Sequence, residues 1–121
     1  MSGPADYYPG RPDETPLDAL EYAVVDCETT GGSPVRGHRV TEIAAIRVGR
    51  SGTVLDEMAS LVNPFRAIPR SITRITNIDE SMVADAPPFE EIAPRVQEVL
   101  AGAVFVAHNA PFDLRFVEWE M

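Results

Sequence analysis

The sequence predicts an α/β domain, and three observations carry that expectation. Three β-rich segments follow one another between turn signals, one stretch has clean helical periodicity, and a short apolar run leads into a capped helix. The first segment, Glu21 to Cys27, is β-branched and aromatic at Tyr22, Val24 and Val25. It runs into Thr29-Thr30-Gly31-Gly32-Ser33-Pro34, a cluster that ends a strand. A second strand spans about Arg39 to Val48, with Val40, Ile43, Ala45, Ile46 and Val48 apolar. Gly49 to Gly52 then turns the chain into a third, about Thr53 to Val62, so the three form a meander.

Asn63-Pro64 closes the meander, and from Pro69 an irregular stretch leads to a short helix near Asp79 to Val83. Phe89 to Leu100 is the clearest helix, because Ile92, Val96, Val99 and Leu100 recur at helical spacing and Gly102 stands where a C-cap belongs. Ala103 to Ala107 is short and wholly apolar and reads as a buried strand. Ala110 to Met121 reads as a helix capped by Asn109, with Pro111 in its first turn and Leu114, Val117 and Trp119 inward. No Gly, Asn or Pro follows Trp119, so the expectation is a domain cut inside this helix and C-terminally incomplete. Segment 1–17, with four prolines and no apolar periodicity, reads as a flexible tail, leaving 18–121 as the folded part.

With 121 residues and 45% hydrophobic content, one domain with its own core is expected. No apolar run reaches membrane-spanning length and no secretory signal opens the chain, so a soluble, cytoplasmic protein without membrane contact is expected. The single cysteine, Cys27, excludes an internal disulfide and reads as a small core residue. The net charge of −9 is opposite to that of a protein gripping phosphates by cations alone, so any nucleic-acid contact must be local or metal-mediated. All ten basic residues are arginine; the absence of lysine excludes amine nucleophiles and phosphate-loop chemistry, and argues against a phospho-receiver module.

Asp26 and Glu28 stand two apart at the end of the first strand, so both side chains point to one face of the sheet, about 7 Å apart. Two carboxylates so placed can share divalent cations. The pair alone says little, since 19 acids in 121 positions produce roughly three such pairs by chance. Location adds to it, because sites in α/β sheets lie at the carboxyl ends of strands beside glycine-rich turns. Asp113 supplies a third acid in the first turn of the last helix, and a pair of neighbouring strands would bring it close to the other two. A helix N-terminal acid favoured by the helix dipole is its structural alternative.

Val24-Val25-Asp26-Cys27-Glu28-Thr29-Thr30-Gly31 resembles the first motif of the DEDDh 3′–5′ exonucleases, the family of the polymerase III epsilon proofreading subunit, and His108-Asn109-Ala110-Pro111-Phe112-Asp113 resembles its second. Gly37-His38-Arg39-Val40-Thr41-Glu42-Ile43, Leu61-Val62-Asn63-Pro64, Ile75-Thr76-Asn77-Ile78 and Met82-Val83-Ala84-Asp85-Ala86-Pro87 follow the family in order and spacing, so the similarity covers roughly Ala19 to Trp119. Asn77 departs from the family's usual glycine, although asparagine tolerates a left-handed backbone.

The resemblance implies a ribonuclease H-like fold, a mixed sheet flanked by helices, with this chain supplying the N-terminal part. It implies two-metal-ion hydrolysis with two Mg²⁺ or Mn²⁺ held by Asp26, Glu28 and Asp113, oxygen ligands that suit such cations. It implies substrate contacts at Thr29, Thr30, Gly31, Ile75, Thr76 and Phe112, with His108 and Asn109 shaping the pocket. The implied substrate is the single-stranded or frayed 3′ end of DNA, in replication proofreading or repair, with a polymerase or a fused nuclease domain as partner. Arg66, Arg70 and Arg74 read as a solvated stripe, with contact to the phosphate backbone as the alternative. The family's third motif, carrying a general-base histidine and a fourth aspartate, is absent from these residues, so the chain by itself is expected to be inactive. The competing readings are a non-catalytic nucleic-acid-binding or interaction module, and an RNA exonuclease of the same fold.

Overall fold

β1 (Tyr22–Thr29) lies at the centre of the molecule and is joined on one edge, antiparallel, to β2 (Val40–Val48), which is followed by β3 (Val54–Leu61). On its other edge β1 pairs in parallel with β4 (Val104–Val106), so the four-stranded sheet is mixed and has the order β3-β2-β1-β4. The structure is a computed structural model that describes residues 19–121; the expected tail at 1–17 lies outside the described residues. A parallel return requires a crossover. Here it carries α1 (Arg70–Thr76), α2 (Glu80–Val83) and α3 (Phe89–Leu100), and α4 (Ala110–Glu120) follows β4.

The core lies on one face of the sheet. Ala23, Val25 and Cys27 of β1 with Ile43 and Ala45 of β2 are buried against Phe89, Val96, Val99 and Leu100 of α3 and Phe116 and Val117 of α4. Each such large side chain contributes about 1.5–3 kcal/mol by leaving water. On the opposite face Val24 of β1, Ile46 of β2 and Val106 of β4 remain exposed. A second, smaller cluster of Ile68, Ile78 and Val83 holds the α1–α2 segment. Among the described residues no helix is long and apolar enough to cross a membrane.

Several expectations need correction. The stretch after Pro69 is a helix, α1; it buries no residue, so it leaves no apolar periodicity to read. β1 continues through Glu28 and Thr29, because a bulge in β2 at Thr41 lets Thr29 pair with Val40. β4 is only half-buried, since just one sheet face is covered. In α4 the side chain of Trp119 points to solvent and Phe116 takes the inward place. Asn109 occupies the N-cap position of α4 without a capping side-chain bond, although Pro111 sits in the first turn as expected. Asn77 ends α1 at φ 62°, the left-handed conformation that asparagine tolerates.

Candidate active site

The carboxyl end of β1 gathers the acids by strand geometry. Along β1 the buried side chains are Ala23, Val25, Cys27 and Thr29, so Val24, Asp26 and Glu28 project to the open face. The antiparallel register sets Asp26 opposite Ala44 and Glu28 opposite Glu42. Glu42 is a fourth acid at this edge that motif reading passed over. Its position follows only from a register fixed by the bulge at Thr41.

Asp113 reaches the same strand from α4. β4 pairs only with Tyr22 to Val24, which leaves the next stretch of that β1 edge without a strand partner. The Cys27 amide there donates instead to Asp113 Oδ2 at 3.0 Å, and Asp113 is 6% exposed. A backbone donor that would otherwise be orphaned thus fixes the carboxylate beside Asp26 and Glu28.

The electrostatics agree with that proximity. Burial, then the charges of Asp26, Glu42 and Asp113, push the Glu28 carboxyl above its ordinary range. Burial, with a further push from Asp26, also raises Asp113, against the opposing hydrogen bond from Cys27 and the charge of His108. Burial and then the carboxylates, Asp113 first, raise the Cys27 thiol far above its usual value, so this cysteine is an inert core group. No arginine enters these balances at Glu28 or Asp113. Among the described residues no three His, Cys, Asp or Glu side chains converge to metal-holding distances.

The other expected site residues divide into two groups. Thr29 donates to the Gly31 carbonyl at 2.7 Å and Thr30 is fully buried, its hydroxyl 3.0 Å from His38 Nδ1 and accepting from the Arg39 amide. Both threonine side chains therefore hold the strand end together. His38 lies so close over Gly31 that a Cβ there would sit 2.3 Å from its ring, which explains the glycine. His108 and Asn109 are exposed in the turn before α4, and Phe112 packs on the core with its ring 5.0 Å from that of Phe116.

Ile75 and Thr76 lie on α1, a different element. Ile75 is 77% exposed, so it is not a core residue. Thr76 spends its hydroxyl on the Ile72 carbonyl and the Ile78 amide.

Sequence reasoning also missed Arg39 and Glu120. Arg39 Nε lies 3.0 Å from both oxygens of Glu120 and its Nη2 lies 2.6 Å from Oε1, while the Val40 amide donates to Oε2. The two residues are 81 apart in sequence, and no local signal marks either of them.

A mixed sheet that brings carboxylates to the end of its first strand, with helices on one face, defines the ribonuclease H-like class of nucleases. The chain belongs to the exonuclease family RNase_T, whose profile matches residues 23–121. It is 48% identical over 105 residues to a DNA polymerase III subunit epsilon-like protein of Rhodobacter capsulatus, covering 86% of this chain and 15% of that protein. It is 41% identical over 105 residues to the 3′-5′ exonuclease DinG of Bacillus subtilis, covering 87% of this chain and 11% of that protein. Its fold superposes with TM-score 0.64 on exonuclease X in complex with 5′ overhanging duplex DNA, at 35% identity, covering 79% of this chain and 53% of that one. The chain therefore spans a small part of the length of these curated relatives.

Proposed function

We propose that this chain forms part of a 3′–5′ exonuclease domain that removes nucleotides from the 3′ end of DNA, in replication proofreading or repair. The observation that carries this reading is the placement of Asp113 on the Cys27 amide, at the same strand end as Asp26 and Glu28. A helix N-terminal acid serving only its own dipole would have no reason to bond a β-strand 86 residues away.

The donor set fits hard divalent cations. Its acids are carboxylates that push one another up at Glu28 and Asp113, opposed at Asp113 by His108, and like charges so placed repel until a divalent cation offsets them. Asp26, Glu28 and Asp113 would hold two Mg²⁺ or Mn²⁺ ions. Such ions supply a nucleophile at neutral pH and stabilise charge on the leaving 3′ oxygen.

Around them the backbone at Thr29, Thr30 and Gly31 would receive the terminal nucleotide, Ile75, Thr76 and Phe112 would line its sugar and base, and His108 with Asn109 would shape the rim. A polymerase or a fused nuclease domain is the partner proposed for the whole protein. Preference for DNA over RNA follows from likeness to a DNA polymerase III subunit and to a DNA-bound exonuclease, and parallel assays on both substrates test it.

Mn²⁺ titration followed by electron paramagnetic resonance tests the site directly. The chain should bind the ion, and Asp26→Ala should lose that binding with its melting temperature retained. Absence of Mn²⁺ binding in the unaltered chain would defeat the proposal.

A further inference from the structure

Phe65 is 68% exposed, and its backbone stands at φ 51°, a left-handed conformation that a bulky aromatic residue rarely adopts. The surroundings hold it there. Asn63 Oδ1 accepts from the Phe65 amide at 2.9 Å, and Asn63 is itself tied to Pro87 through its amide and to Ala84 through its side chain. Backbone strain held by three bonds, with an aromatic ring presented to water, is a pattern associated with function.

The next residue is cationic and links this loop to another. Arg66 Nη1 donates to the Gly37 carbonyl at 2.9 Å, so the loop at 65–67 abuts the turn Pro34–Arg36 and His38. That turn exposes Arg36 together with Val35, which with Ile75 and Phe65 is one of the three most exposed large apolar side chains among the described residues. Among the described residues no carboxylate forms an ion pair with Arg36 or Arg66. In a chain of net charge −9 this is a local reversal of sign. Glu90 and Glu120 lie near Phe65, but Arg39 neutralises Glu120. The cationic turn is also tied to the end of β1: Thr30, two residues beyond Glu28, is bonded to His38 and Arg39.

We propose that these two loops form a landing surface for single-stranded nucleic acid, with Phe65 stacking on a base and Arg36 and Arg66 holding the flanking phosphates. Cations that track a backbone, combined with an aromatic ring that accepts any base, suit a single strand better than a duplex, whose bases are stacked away. An acidic protein segment would match the arginines and leave the ring without a role. The surface deepens the nuclease reading above and rests on it for the identity of the strand. It would hold the strand leading to the acids, which by themselves repel it.

The experiment measures binding of fluorescein-labelled oligo(dT) to the whole 121-residue chain by anisotropy, in EDTA so that no ion at the acids contributes and their repulsion is the same in every variant. Phe65→Ala and Phe65→Gly should each weaken binding about tenfold, and Phe65→Trp should retain it. Arg36→Gln should lower the slope of log affinity against log salt by about 0.7. Phe65→Gly should melt no lower than the unaltered chain, because glycine adopts the left-handed φ without strain. A residue kept only for structure would not combine retained stability with lost binding. Unchanged affinity in Phe65→Ala and Phe65→Gly would overturn the proposal, as would a base-free polyphosphate competing as well as oligo(dT) at equal charge. Mn²⁺ binding, measured separately, should be the same in all four variants. Its absence from the unaltered chain would count against the acids and leave this surface standing.

Discussion

α4 carries a carboxylate at each end, and the two are treated oppositely. Glu120, with its side chain 2% exposed, receives both arms of Arg39 and the Val40 amide, so its charge is balanced. Asp113 is also buried, yet it has no paired arginine: it receives backbone amides, that of Cys27 and its own, with His108 as the one opposing charge, and faces like charges at Asp26 and Glu28. A buried carboxylate with all its partners ties two elements together. One with too few partners is a standing cost that the fold retains. The two lie seven residues apart, about 10 Å along the helix axis, so the tie at one end sets where the uncompensated acid at the other end stands.

The largest expected effect comes from breaking the balanced end. Glu120→Ala leaves Arg39 and the Val40 amide without their acceptor and should cost about 2–3 kcal/mol in urea denaturation. That is less than for a fully buried pair, because Arg39 keeps 37% of its side chain exposed. Arg39→Met with Glu120→Leu should recover the part of the loss due to Arg39, since an apolar pair carries no desolvation cost, while the Val40 amide stays without its acceptor. An unchanged urea midpoint in Glu120→Ala would mean that the tie does not hold α4.

The contrast between the two ends also shows what could be read from the residues alone. Asp26 and Glu28 were legible because a strand's period of two needs no tertiary knowledge, and Asp113 because it follows an apolar run at the start of a helix. The mixed sheet entered through resemblance to a family, and the strand pairing bears it out. Arg39 and Glu120 were illegible, since nothing near either residue anticipates a partner 81 positions away. α1 escaped notice for a different reason: pattern reading detects helices by the face they bury, and α1 buries none. Trp119 was misplaced, since the helical spacing that sends Asp113, Phe116 and Glu120 inward leaves position 119 outside.

The uncompensated end should show a smaller effect of opposite sign. The folded-state pKa of Asp113, and of Glu28 with it, lies above the ordinary carboxylate value near 4. Their contribution therefore favours the fold most when both are protonated, and it declines as the pH rises from that range through the raised folded values. Asp113→Asn keeps an oxygen for the Cys27 amide and removes the charge. At pH 7 in EDTA it should raise stability, flatten the fall in melting temperature as the pH rises above the ordinary carboxylate value, and lose Mn²⁺ affinity. Lower stability than the unaltered chain at pH 7 would show the charge to be balanced after all, and the contrast with Glu120 would fail.

Thr41 offers the smallest and sharpest comparison, because it is an unpartnered buried group without charge. It is 1% exposed at the β2 bulge, its carbonyl accepts from the Val62 amide, and its hydroxyl alone among the described buried side-chain polar atoms has no hydrogen-bond partner. Thr41→Val keeps the shape and removes the hydroxyl, so stability should rise by about 0.5–1 kcal/mol with Mn²⁺ and oligo(dT) binding unchanged. A gain in stability alone would mark Thr41 as a cost with no return, and would separate it from Asp113, whose removal should trade stability against an ion. Loss of Mn²⁺ binding in Thr41→Val would instead make the bulge, and not the acids by themselves, responsible for keeping Glu28 and Thr29 in register at the site.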